Sequence, residues 1–192
     1  MSYTTYTTDA IVCGTYDRNT ADRTYRLFTR EVGMVWADAR SVRLEKSKQR
    51  FGLSDFSLIR VSLVRGKSGW KIGSVSAIDN YYHSAIDQSA RGSIVTIVRL
   101  LRRYFQGEEA QPELFDFVAE SLSILSEDVS ERVFADQVIT LRVLSELGYV
   151  AKPSVPEQIR RQPAKKLVEA YNAQVASLVV DLLSNAESVS HL

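Results

Sequence analysis

The feature that most constrains this chain is a change of hydrophobic period close to residue 76. Before it, apolar and polar side chains alternate in short runs rich in Thr, Tyr, Val and Ile; after it, apolar residues recur every three to four positions. Strand-forming and helix-forming sequence are therefore segregated, which predicts an α+β chain with antiparallel strands first and helices second. Five strands are expected at about 8–16, 23–30, 34–41, 56–65 and 70–78. Glu31-Val32-Gly33 and Gly66-Lys67-Ser68-Gly69 are short glycine-containing connections suited to hairpins. In the fourth strand Phe56, Leu58, Val61, Leu63 and Val64 alternate imperfectly, as expected where a bulge shifts the register of a strand curving round a small barrel. Five strands on about 75 residues suggest an OB-like barrel, and an SH3-like barrel fits the same pattern.

Helical spacing then places Ile94, Ile97, Val98, Leu101, Tyr104 and Phe105 on one stripe. A second helix is expected from Pro112 through Leu125, and a third from Ser130 to Leu147 with Gly148 as its cap. After Pro153 and Pro156, one last helix of about 20 residues is expected, with Leu167, Tyr171, Leu178, Leu182 and Leu183 facing inward and Asn185–Leu192 as a frayed tail.

Composition removes several function classes. No apolar run of about 18 residues is present, so a membrane-spanning helix is not expected. The N-terminus lacks a basic region followed by an apolar stretch, so a cytoplasmic location is expected. Cys13 is the single cysteine and His83 and His191 are the only histidines, which leaves neither an internal disulfide nor a Cys/His zinc site; no metal or cofactor is expected. Candidates for catalysis are few. Cys13 reads as a small buried hydrophobe, His83 as a surface or capping residue, and Glu108-Glu109 as loop charges. Neither glycine-rich phosphate-loop pattern occurs, and the expectation is that the chain is not an enzyme.

Charge points to a binding role. Residues 1–76 hold 13 Lys and Arg against 7 Asp and Glu, whereas residues 77–192 hold 11 against 16. A basic half suits a polyanion. Arg40, Arg43, Lys46, Lys48 and Arg50 cluster in the connection between the third and fourth strands, where Glu45 is the one acid. Flexible cations of this kind neutralise phosphates. Trp36 and Phe51 flank them as candidate stacking platforms, and Arg18, Arg23 and Arg26 extend the same surface.

The order of motifs resembles the RecO family of bacterial recombination mediators. The family's first strand is similar to Ala10-Ile11-Val12-Cys13-Gly14, and its D-R-L-x-x-L-F-T signature resembles the run from Asp22 to Thr29. Its K-G-A-R turn falls on Arg40-Ser41-Val42-Arg43, with Ser41 in place of glycine, and its K-S-R-L resembles Lys46-Ser47-Lys48-Gln49. P-E-L-F-D is present as Pro112-Glu113-Leu114-Phe115-Asp116, and F-E-L-R-L-L-x-x-L-G-Y resembles Ile139 to Tyr149.

The resemblance implies a five-stranded OB-fold barrel over 1–78 followed by a helical domain over 79–192. A cysteine-free linker at 150–160 stands where most relatives carry a module, often zinc-binding. It implies binding of single- and double-stranded DNA, strand annealing, and action with RecR to load RecA onto strands coated by single-strand binding protein. DNA-binding residues are then Arg40, Arg43, Lys46, Lys48, Arg50, Arg23, Arg26 and Trp36. The acidic, apolar C-terminal tail of single-strand binding protein would dock on the helices, where Arg99, Arg102, Arg103, Arg132 and Arg142 are available and Arg103 and Arg142 match family positions. The alternative is a protein adapter that binds RecR or single-strand binding protein with little DNA binding of its own.

Overall fold

A computed structural model describes residues 4–44, 47, 49 and 51–190. Five strands, β1 (Thr5–Asp17), β2 (Arg23–Thr29), β3 (Gly33–Ala39), β4 (Ser57–Gly66) and β5 (Gly69–Asn80), close into a barrel in the order β1-β2-β3-β5-β4. Neighbouring strands are antiparallel except β3 and β5, which pair in parallel through Ala37–Trp70 and Asp38–Lys71. That topology is the OB-fold and removes the SH3-like alternative.

Alternation explains what fills the barrel. Val12, Tyr25, Leu27, Val35, Ala37, Ile59, Val61 and Leu63 point inward and are buried. The outward neighbours Ile11, Phe28 and Met34 are also buried, because they belong to a second core made with the helices. Leu58 and Phe56 pack against that second core as well. Register breaks between Leu58 and Ile59 and between Val61 and Leu63 show the expected irregularity of β4. Its blurred alternation has a further cause, namely apolar residues on both faces.

The helices are α1 (Tyr81–Ser84), α2 (Gln88–Tyr104), α3 (Pro112–Ser126), α4 (Arg132–Glu146), α5 (Glu157–Arg161), α6 (Ala164–Glu169) and α7 (Ala173–Ser190). Asp87 caps α2 by accepting from the Ala90 amide at 2.7 Å, and Pro112 occupies the first turn of α3. Residues 150–160 are packed: Val155 and Ile159 are buried in the helical core. The expected single last helix is two. The chain leaves the helix after Glu169, and the Asn172 side chain accepts from the Val175 amide at 2.9 Å, a cap that starts α7. Tyr171, expected to face inward, lies between them 46% exposed, and Leu178 is 37% exposed. None of the helices among the described residues is long and apolar enough to cross a membrane.

Barrel and helices are joined at the β2–β3 hairpin. Phe28 packs its ring against Phe105 and Phe115 at 5.0 and 5.3 Å. The Met34 amide donates to the Gly107 carbonyl at 3.0 Å. Arg30 donates from Nε and Nη2 to the two oxygens of Asp116, both at 2.8 Å. This fork holds the Asp116 carboxyl below the ordinary carboxylate range, so the ionised form is favoured in the folded state. The stabilisation is therefore present above about pH 4 and is lost as acid protonates Asp116 through its lowered pKa. Asp116→Asn is expected to lower the denaturant midpoint at pH 7 and to lower it less at pH 3. A midpoint unchanged at both pH values would mean that the fork contributes nothing.

Candidate nucleic-acid interface

The outer face of β1–β3 is built in rows. Phe28 pairs across the sheet with Met34, and both are covered by the helices. One row further out, Gly14 pairs with Arg26 and Arg26 with Trp36; beyond it Tyr16 pairs with Thr24 and Thr24 with Asp38. Arg26 and Trp36 thus lie at the edge of the helical cover, where the last turn of α2 ends. That turn carries Arg102 and Arg103, which also suit the negative end of the helix dipole.

Arg26, Arg99, Arg102 and Arg103 line an open depression of about 350 Å3. Arg26 donates from Nη2 to the Phe105 carbonyl at 3.1 Å, and its Nε is buried without a hydrogen-bond partner among the described residues. Arg102 donates from Nη2 to the Tyr16 hydroxyl at 2.9 Å. Tyr16 lies 4.9 Å from Trp36, ring centre to ring centre, and the Arg26 guanidinium faces the Trp36 ring at 5.5 Å. Gly14 makes room for this arrangement. A Cβ there would come within 3.2 Å of the Tyr16 ring and 3.6 Å of the Arg102 guanidinium carbon.

The rim is different in character, because its cations meet acids. Arg18 pairs with Asp38, Arg23 with Asp17 at 2.9 Å, and Arg43 with Asp17 at 3.6 Å and with the Asn19 carbonyl at 2.9 Å. Asp22 accepts from the Ser41 amide at 2.8 Å and from Asn19, which holds its carboxyl below the usual range. Ser41 itself is left-handed, with φ 54°, the conformation that glycine adopts at least cost. Arg40 is exposed beside Asp22. The start of the long β3–β4 connection is thereby folded onto the β1–β2 connection. Lys46, Lys48 and Arg50 lie outside the described residues. Phe51, on the same connection, is 76% exposed and Trp36 is 49% exposed.

The expected partner-binding arginines line separate depressions. Arg103 belongs to the arginine depression, whereas Arg142 forms a wall of a groove of about 330 Å3 with Leu114, Phe117 and Lys152. Arg142 donates to Glu146 at 2.9 Å and to the Ile159 carbonyl at 2.8 Å, and it faces the Phe117 ring at 5.1 Å. Burial pulls its pKa below the usual arginine value. Arg132 donates to the Leu125 and Glu127 carbonyls and so ties the α3–α4 connection. Among the described residues, no three His, Cys, Asp or Glu side chains are grouped to hold a metal ion. Cys13 is buried, and desolvation pushes its thiol up to about 12.

The meeting of Arg99 and Arg102 with the barrel is what sequence reasoning missed, since Arg102 and Tyr16 are 86 residues apart. The available signal was local: an outward arginine at Arg26 opposite a glycine at Gly14, on a strand face otherwise covered by helices.

Comparison with known proteins agrees with this architecture. Residues 89–152 match the family model described as Recombination protein O C terminal. The chain is 28% identical over 144 residues to the DNA repair protein RecO of Desulfitobacterium hafniense, a match covering 75% of this chain and 52% of that protein. It is 32% identical over 123 residues to the DNA repair protein RecO of Myxococcus xanthus, covering 62% of this chain and 50% of the relative. The RecO of Clostridium novyi is 27% identical over 146 residues, covering 75% and 56%. The chain spans about half the length of the curated relatives it matches. With the OB barrel, the helical C-terminal segment and the ordered motifs that run through both, the chain is similar to RecO proteins over three quarters of its length, 75%.

Proposed function

We propose that this protein binds DNA in recombinational repair, holding the phosphate backbone on the face shared by β1–β3 and the end of α2. The observation that carries the reading is the depression lined by four arginines, joined through Arg26 to an exposed aromatic pair. Guanidinium groups gathered on an open surface lower the repulsion between phosphate backbones without reading sequence. That is the physical requirement for bringing complementary strands together and releasing them. Annealing, cooperation with RecR and loading of RecA onto strands coated by single-strand binding protein are the activities this reading assigns, on the strength of relatives named as DNA repair proteins. No bond is made or broken in them. The same surface serves single- and double-stranded DNA through the backbone common to both.

The test is fluorescence anisotropy of a labelled oligonucleotide titrated with the protein at two salt concentrations. A few phosphate contacts should cost an order of magnitude or more in affinity between about 50 and 200 mM salt. Absence of binding at the lower salt overturns the reading in favour of an adapter. One observation bears on that second reading: the groove at Arg142 sets two cations, Arg142 and Lys152, beside Leu114 and Phe117, with Glu146 paired to both cations and Glu113 on the same lining. An acidic, apolar tail such as that of single-strand binding protein would have to compete with Glu146 for these cations, and tail-peptide affinity without DNA affinity would identify the adapter.

A further inference from the structure

We propose that Trp36 is a platform for one unpaired base, and that the base's neighbouring phosphate sits on the arginine depression, so that this face prefers single-stranded to duplex nucleic acid. The proposal rests on the reading of the face as a DNA interface and adds to it the state of the strand that is taken.

Three observations converge on Trp36. The first is exposure. The chain has two tryptophans; Trp70 is 5% exposed inside the barrel, whereas Trp36 projects from the outer face with 49% of its surface in solvent. A large aromatic on a rigid strand, outside either core, has apolar surface that a flat ring can cover. The second is orientation. Trp36 is braced by Tyr16 at 4.9 Å with the rings tilted at 53°, and Tyr16 is fixed in turn by the hydrogen bond from Arg102. A ring already held in place loses little freedom on binding. Phe51 is more exposed but sits on the long β3–β4 connection rather than on a strand.

The third observation is adjacency. Arg26 lines the depression and also faces the Trp36 ring, and its cross-strand pairing with Trp36 fixes the two side by side. A phosphate held by Arg26 and Arg102 therefore places the adjoining base over the indole. In a duplex both faces of that base are covered by its stacked neighbours, and offering one face to Trp36 requires unstacking the step. The backbone contacts are available to either form, but the ring contact is available only to a single strand.

The two tryptophans make the test direct. Emission of the parent protein is followed while an oligothymidylate, and separately a blunt duplex, is added. Quenching by the single strand with little change on the duplex is expected, and the quench should vanish in Trp36→Phe. In anisotropy, Trp36→Ala should weaken single-strand binding about 5- to 100-fold while duplex binding stays within about twofold. Equal losses on both forms, or no loss and no quench while DNA still binds, would overturn the platform and leave the arginine interface standing. Failure of the parent protein to bind either form overturns both. Should Trp36→Ala fail to fold, the parent quench and its disappearance in Trp36→Phe decide the matter.

Discussion

Gly33→Ala is expected to lower the melting temperature by about 10 °C, from a cost of about 3 kcal/mol in a protein of this size. Gly33 begins β3 with φ 79°, a left-handed value that side chains adopt only under strain. The position also lies against the helical part of the chain. A Cβ there would be 2.4 Å from the Glu109 carbonyl oxygen, 2.9 Å from the Glu109 amide nitrogen and 2.9 Å from the Gly107 carbonyl oxygen. These are backbone atoms and cannot rotate away as a side chain would. The hydrogen bond from the Met34 amide to Gly107 is made at the same point, so separating the segments breaks it too. Gly69 supplies the control. Its φ is 106° but nothing lies within 4 Å of an added Cβ, so Gly69→Ala should cost only local strain, about 1 kcal/mol. Equal melting temperatures for the two variants would show that the approach at Gly33 yields readily.

Arg99→Ala combined with Arg102→Ala is expected to reduce DNA affinity by roughly an order of magnitude at low salt and to lower the salt dependence by about two. Both residues line the depression, and Arg102 also orders Tyr16. The comparison is Arg40→Ala with Arg43→Ala, which removes the same formal charge from the basic connection. Arg43 already faces Asp17 and the Asn19 carbonyl, so a phosphate must compete for it. Its removal should lower the salt dependence by about one. Anisotropy over a series of salt concentrations separates the two pairs. A larger effect from Arg40 and Arg43 would move the principal contact surface to the β3–β4 connection.

Much of the fold was legible because alternation and helical spacing are read over many residues. Tyr25 and Leu27 against Arg26, and the stripe through Ile94, Ile97 and Leu101, need no tertiary information. Reading failed where one residue answers to two environments. Leu58 and Phe28 break the expected pattern because the helices bury the outer face of the barrel. Asn172 divides the last helix because a side-chain cap outweighs a continuous apolar stripe. For the interface, Arg26 and Trp36 were visible as outward residues of adjoining strands. Arg99 and Arg102 read as helix cations available to an acidic tail, since nothing local to α2 records that its end lands beside Tyr16. Counting charge by halves does not locate the arginine depression, for the same reason: Arg18, Arg23, Arg43, Arg60 and Arg65 of the basic half face acids, while three arginines of the acidic half line the depression.

The aromatic contact of Phe28 with Phe105 and Phe115 makes the barrel a poor subject for exchange between relatives. A chimera joining this barrel to a relative's helices must match three rings, the approach at Gly33 and the Arg30–Asp116 fork at once. Mismatch at any of them leaves Ile11, Phe28 and Met34 facing water on a surface that would then recruit other chains. Barrel and helices thus form a matched pair, and substitutions that retune one side of their seam are coupled to residues on the other.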